Sequence, residues 1–298
     1  MTRKTREAMQ GYIYILPSFI LLLIFYILPI FMSGYYSFTN YNLVKAPDFV
    51  GLKNYTRLFT DDYIRAALKN TLAYTIITVP VQTILALGFA DFIATKLKNK
   101  TGGFLRSAMF IPVIASAVTS GAIWRILMDT DGGVINTVLG KLGIAPFNWL
   151  GSSSLALISI CIVAIWKNVG YFLVIYYAGI MGQSKEVFEA ADIDGATHWQ
   201  TLTMITIPLL KPVTYLIVTL GIIWSFQVFD LSYIMTGGGP GKATVTLVMQ
   251  IYQSAFKGGN KMGYSSAIAM LLLAIIIIIN ILENIVFAER KSKKEANS

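Results

Sequence analysis

The sequence predicts an all-α integral membrane protein with six transmembrane helices, and three observations carry that prediction. Of its 298 residues 55% are hydrophobic and 13% charged, with a mean hydropathy of +0.64, too apolar a balance for a chain whose solvent is water. Six uninterrupted apolar runs are each long enough to cross the roughly 30 Å of hydrocarbon in a bilayer. None shows the alternation of a barrel strand, and backbone groups in lipid must be satisfied within their own segment, which leaves the helix.

The runs fall at about 12–38, 71–94, 105–128, 155–181, 213–235 and 264–287. Arg3, Lys4 and Arg6 before the first give it the look of a signal peptide, but the run is too long and no small-residue cleavage site follows. Pro17, Pro29, Pro80 and Pro112 fall within or near runs, where kinks are tolerated. Lys96, Lys98, Lys100 and Arg106 crowd the second connection, and Arg290, Lys291, Lys293 and Lys294 follow the last run. These clusters place both termini and the even-numbered connections in the cytoplasm. The longer odd connections carry Lys45, Lys53, Arg57, Arg65 and Lys69, but long translocated loops obey the charge rule weakly. The expected organisation is a tail at 1–10, one membrane domain at 11–290 without internal repeat, and a tail at 291–298.

The formal charge of +9 therefore reads as membrane topology, and nucleic-acid binding is set aside because no folded basic face carries it. Cys161 is alone and inside a run, so no intrachain disulfide is expected. Catalytic constellations are missing. His198 is the only histidine, and the acid pairs Asp61-Asp62, Asp129/Asp131 and Asp192/Asp194 all lie in connections, where solvated charge is the default. Gly241-Lys242-Ala243-Thr244 fails as a phosphate loop, because Ala243 stands where Ser or Thr must ligate magnesium and Thr236 where the leading glycine belongs. No cofactor is expected in this chain, and any nucleotide-driven step must reside in another polypeptide.

The polar stretch between the fourth and fifth runs, at about 183–210, is built as a docking surface. Ser184 is placed to cap a short helix with Glu186 in its first turn, at the positive end of the dipole, and Gly195 supplies a left-handed terminator. Thr197 and Gln200 have the spacing of a capping box that starts a second short helix, with Pro208 and Pro212 expected to halt it. Ala190 and Ala191 leave one face small enough to enter another protein's groove.

Glu189-Ala190-Ala191, three residues, Gly195, nine residues, then Ile205-Thr206-Ile207-Pro208 resembles the EAA loop of ABC-importer permeases, departing only at Ile207, where the family pattern has Leu. Phe49-Val50-Gly51-Leu52-Lys53-Asn54-Tyr55, Phe226-Gln227-Val228-Phe229-Asp230 and Thr236-Gly237-Gly238-Gly239-Pro240 are similar to segments of the carbohydrate-uptake branch, of the maltose and multiple-sugar type. The resemblance implies a type I importer permease fold in a bacterial or archaeal cytoplasmic membrane. It also implies a coupling loop in which Glu189, Ala190, Ala191, Asp194, Gly195 and Pro208 engage a cytoplasmic ATPase that holds Mg-ATP. Its implied partners are a second permease subunit, two copies of the ATPase, an extracellular or periplasmic sugar-binding protein, and a sugar, with an oligosaccharide expected.

Polar groups inside spans tend to face the bundle interior, because lipid exposure is costly. Trp166, Lys167, Asn168 and Tyr171 lie in the fourth run and Trp224, Ser225, Gln227 and Asp230 in the fifth. Such a set suits a sugar, whose C–H faces stack on aromatic rings and whose hydroxyls exchange bonds with polar groups; packing against lipid or other helices is the alternative for each aromatic. The resemblance to maltose-type permeases adds Ser116 and Thr119 of the third run to the path, while Lys167 and Gln227 depart from the asparagine-rich lining of some relatives. Lys167 and Asp230 are expected either to pair across the bundle or both to face a wet path. The rival readings are an ABC permease for another solute such as glycerol phosphate, an ion-coupled transporter or channel, and, weaker, a membrane enzyme.

Overall fold

The computed structural model describes the backbone of residues 3–97 and 100–295 and the side chains of 12–97 and 100–285. Lys98 and the side chains of Arg3, Lys4, Arg6, Arg290, Lys291, Lys293 and Lys294, used above for orientation, lie outside the described set. In chain order the helices are α1 (Arg3–Leu22), α2 (Leu28–Ser37), α3 (Lys53–Thr60), α4 (Asp62–Lys96), α5 (Lys100–Ile114), α6 (Ala117–Leu127), α7 (Val134–Lys141) and α8 (Ala156–Met181). They continue with α9 (Lys185–Ile193), α10 (His198–Gln200), α11 (Ile207–Leu209), α12 (Lys211–Phe226), α13 (Asp230–Thr236), α14 (Leu247–Tyr252) and α15 (Met262–Glu295). Among the described residues the only β pairing is an isolated antiparallel bridge, Thr39 with Phe49.

Among the described residues four spans are long and apolar enough to cross a bilayer: Tyr12–Ser37, Asp62–Lys96, Ala156–Met181 and Met262–Ile285. Two further candidates are bent pairs, α5 with α6 at 96° and His198–Leu209 with α12 at 71°. The expectation of six continuous helices is corrected at the third and fifth runs. The third breaks after Ile114, two residues beyond Pro112, whose missing N–H and ring weaken the preceding turn. The fifth, expected over 213–235, stops at Phe226 and resumes at Asp230. Phe229 leaves helical geometry at φ −138°, ψ −58°, and Thr246 Oγ1 donates to the Val228 carbonyl at 2.8 Å, so a side chain takes the place of a lost backbone bond. A π-turn at Leu23–Ile27 joins α1 to α2 just before Pro29.

The chain divides into two compact units. The first comprises Met1–Asp61 and Gln250–Ala274. Here Asn54 Nδ2 donates to the carbonyls of Ser37 and Thr39 at 2.9 and 2.8 Å, which fixes α3 under the end of α2. Gly263 lets the start of α15 approach so closely that an added Cβ would lie 2.0 Å from the Thr39 carbonyl oxygen.

The second unit comprises Asp62–Met249 and Ile275–Ser298. Its core joins Ala86, Ala90 and Ala94 of α4 to Val169, Phe172, Leu173 and Tyr176 of α8, with Leu210 and Ile217 closing one side. The alanines recur every four residues and form one small-residue ridge, which lets the α8 backbone come close enough for its larger side chains to interlock. Cys161 is buried and free, packed with Tyr74, Ile160 and Leu231. The glycine-rich turn after α13 takes left-handed conformations at Gly237, Gly238 and Gly241, with a cis Gly239-Pro240 bond. Asn70 holds it by donating to the carbonyls of Lys242 and Val245 at 2.7 and 3.0 Å. Thr244 is buried and bonded to Thr236 and Gly239, so its hydroxyl is committed within the turn.

Candidate functional site

The stretch at 183–210 folds largely as its local signals dictate. Ser184 occupies the N-cap position of α9 but makes no side-chain cap bond, a correction to the expected cap. The other end is as expected: Gly195 sits at φ +72°, and the Ala196 and Gly195 amides donate to the carbonyls of Ala191 and Asp192 at 2.9 and 3.1 Å, the paired bonds of a left-handed helix terminus. Thr197 and Gln200 form the capping box in both directions, with Thr197 N–H donating to Gln200 Oε1 at 2.8 Å and Gln200 N–H to Thr197 Oγ1 at 3.3 Å. A π segment at Thr201–Thr206 follows. The turn to α12 is made at Leu210, between Pro208 and Pro212, so Pro212 opens the next helix where it was expected to halt the previous one.

Two features of this surface were not legible from composition. Ala191 is buried and belongs to the chain's own packing, which corrects the expectation that it enters a partner's groove with Ala190, whereas Glu189, Ala190, Asp194 and Gly195 are exposed and Pro208 half-buried. The large apolar groups turned furthest outward are Ile193 at 86% and Trp199 at 68% exposure, with Met204 nearby in sequence at 71%. Their signal was present as large apolar residues inside an otherwise polar connection. Exposed apolar groups of this kind, with the exposed acids Glu189, Asp192 and Asp194 close by in sequence, have the make-up of a protein contact. This surface is anchored to the bundle by His198 Nε2, 2.9 Å from Oδ2 of the buried Asp91 near the end of α4.

Within the bundle, Ser116 and Thr119 are exposed at the start of α6, Gln227 is exposed at the end of α12 and Asp230 at the start of α13. The half-helices α6 and α13 touch, because Gly121 of α6 leaves room for Leu231 and Ile234 of α13, whose side chains would lie 3.3 to 3.5 Å from an added Cβ. Two aromatic pairs join α8 to its neighbours: Trp124 of α6 with Trp166 of α8, edge to face at 5.4 Å, and Tyr171 of α8 with Trp224 of α12 at 5.0 Å. Trp124 was missed in the sequence, where it looked like one more apolar residue. Ser225 is buried and shares a 3.2 Å hydrogen bond with Thr78. Asn168 is half-buried. Of the expected alternatives for Lys167 the pair with Asp230 is not formed: its Nζ donates to the carbonyls of Pro112, Val113 and Ala115 at 3.2, 3.2 and 2.7 Å, and among the described residues no ion pair joins it to Asp230. No group of three or more potential metal ligands occurs among the described residues.

Residues 2–291 match the family described as the binding-protein-dependent transport system inner membrane component. The chain is 33% identical over 275 residues to the trehalose/maltose transport system permease protein MalF of Thermococcus litoralis, covering 92% of each chain. It is 35% identical over 277 residues to the arabinooligosaccharides transport system permease protein AraP of Bacillus subtilis, covering 91% of this chain and 86% of that protein. In fold it is similar to a bacterial ABC transporter involved in the import of the acidic polysaccharide alginate, at a TM-score of 0.83 and 20% identity over 96% of this chain and 98% of that one. A second structure of a bacterial alginate ABC transporter, in complex with an alginate pentasaccharide-bound periplasmic protein, gives a TM-score of 0.84 at 21% identity, covering 95% of both chains.

Proposed function

Because the chain belongs to the family of binding-protein-dependent transport system inner membrane components, a permease subunit and not an enzyme, we propose that it forms half of the membrane path for a sugar. An oligosaccharide is the solute class that its relatives for trehalose/maltose and arabinooligosaccharides handle by name. Its partners in this reading are a second permease subunit, two copies of a separate ATPase that holds Mg-ATP, and an external binding protein of the kind seen with the alginate transporter. The membrane is the bacterial or archaeal cytoplasmic one, crossed six times with both termini inside.

The observation that carries the coupling role is the exposed, rigidly terminated segment from α9 to Gln200, pinned to α4 through His198 and Asp91. Glu189, Ala190, Asp194 and Gly195 offer the docking face, and Pro208 holds the approach to α12. Closure of the ATPase pair draws the segment along, and the His198 contact passes that displacement to α4 and the bundle. The path then opens outward to accept solute and returns inward after hydrolysis, an alternating-access cycle between two states. Ser116, Thr119, Trp166, Asn168, Tyr171, Trp224, Gln227 and Asp230 face the solute along the path, with Ser225 behind them.

The test is ATP hydrolysis and uptake by the purified importer in liposomes. Hydrolysis by this chain alone is expected to be nil, and to rise in the assembled complex when the binding protein and its sugar are added. Uptake driven by an ion gradient without the ATPase would overturn the reading.

A further inference from the structure

Lys167 sits in a span that favours no free charge, and the geometry around it is specific. Gly170, three residues later and on the same helical face, has no side chain to hold α5 away: a Cβ there would lie 1.9 Å from the Met109 carbonyl oxygen. The α5 backbone therefore runs against α8 at Met109, and its end, with the break that follows, arrives over Lys167. A helix end leaves its last carbonyls without intrahelical donors. In a bilayer such groups are tolerated only where protein or a water-filled cavity satisfies them. The ammonium supplies three donors and meets three carbonyls, those of Pro112, Val113 and Ala115. Its positive charge also stands at the negative end of the α5 dipole.

The residues held by this contact are those on either side of the 96° bend. Ser116 caps α6 by position only, without a side-chain bond, and among the described contacts no other charged side chain touches the break. We propose that Lys167 is a positioning residue of the transport path: its ammonium, anchored on the carbonyls that end α5, fixes the bend between α5 and α6 and thereby sets where Ser116 and Thr119 stand. Lys167 acts through the backbone and does not itself contact solute. This rests on the path reading above, but the bend it governs is measurable without transport.

The experiment uses the full-length chain in its purified importer complex, spin-labelled at Phe104→Cys on α5 and Ile126→Cys on α6, both exposed positions, with the buried Cys161 left in place. The interspin distance distribution reports the bend. Lys167→Arg, which keeps charge and donors, is expected to retain the wild-type peak. Lys167→Met, similar in length but without donors, is expected to broaden or displace it and to lower uptake per ATP hydrolysed. A wild-type distance peak in Lys167→Met overturns the proposal. Should that variant fail to accumulate, Lys167→Leu, likewise without donors, is measured in its place with the same two outcomes, and loss of both alongside normal Lys167→Arg overturns it in favour of a folding role alone. If the wild-type importer shows no ATP-driven uptake, the path reading fails while the distance comparison still decides the role of Lys167.

Discussion

His198 Nε2 lies 2.9 Å from Asp91 Oδ2, so the segment that follows Gly195 is tied to α4 by a contact between residues far apart in the chain. The Asp91 side chain is only 8% exposed and that of His198 47%. A carboxylate so enclosed is costly without a partner, whereas a half-exposed imidazole loses little when released to water.

The two ends of this contact should therefore respond unequally. His198→Ala strands the carboxylate and is expected to destabilise the chain by about 1–3 kcal/mol. Asp91→Asn removes the charge that needs pairing and should cost less, and His198→Ala in the Asp91→Asn background should add little. Thermal unfolding of the purified protein ranks the three variants. An unchanged midpoint in His198→Ala would remove the contact from any structural account. Both single variants are also expected to lower uptake relative to ATP hydrolysis.

Gly195 stands in the left-handed region at φ +72°, and a Cβ there meets nothing within 4 Å. Substitution thus acts through backbone strain and not through collision. Gly195→Val is expected to cost about 1–2 kcal/mol locally, to insert normally, and to weaken ATPase docking or uncouple it. Gly195→Asn, which visits this conformation more readily, should be milder. Pull-down of the ATPase and transport assays check both, and full transport in Gly195→Val would count against the coupling role.

Ile193 and Trp199 turn their side chains to solvent at the docking face. If the ATPase covers them, each behaves as an interface anchor, and Trp199→Ala is expected to weaken association by about 2 kcal/mol or more without altering the stability of the isolated chain. Titration of the permease complex with the ATPase measures this. Equal affinity in Trp199→Asp and wild type would place the contact elsewhere.

At Gly170 α5 lies close against α8, with the Met109 carbonyl oxygen 1.9 Å and its carbon 2.7 Å from an added Cβ. Backbone cannot swing aside as a flexible side chain does, so Gly170→Ala should separate the helices and destabilise by about 1–3 kcal/mol. Gly140→Ala in α7, which meets nothing within 4 Å, is the control and should be neutral or slightly stabilising. Matching unfolding midpoints for the two variants would show that the helices part freely.

Local chemistry alone determined a good deal of this protein. The apolar runs, the terminator at Gly195 and the reciprocal capping of Thr197 and Gln200 each depend on residues within a few positions of one another, and so they are legible in the chain. The missing phosphate-loop residues are legible for the same reason. Packing decided the rest. Lys167 meets carbonyls 52 to 55 positions away because Gly170 admits the α5 backbone, and no periodicity in either segment announces that pairing. The break at Gln227–Phe229 stands because Thr246, brought there by the turn after α13, supplies the bond the helix gives up. Ala191 faces inward while Ala190 faces out, since two small neighbours on one short helix are indistinguishable until something packs against one of them. Composition sets how much apolar surface must be covered; which polar group meets which orphaned carbonyl is settled only when helices distant in sequence come within hydrogen-bonding reach.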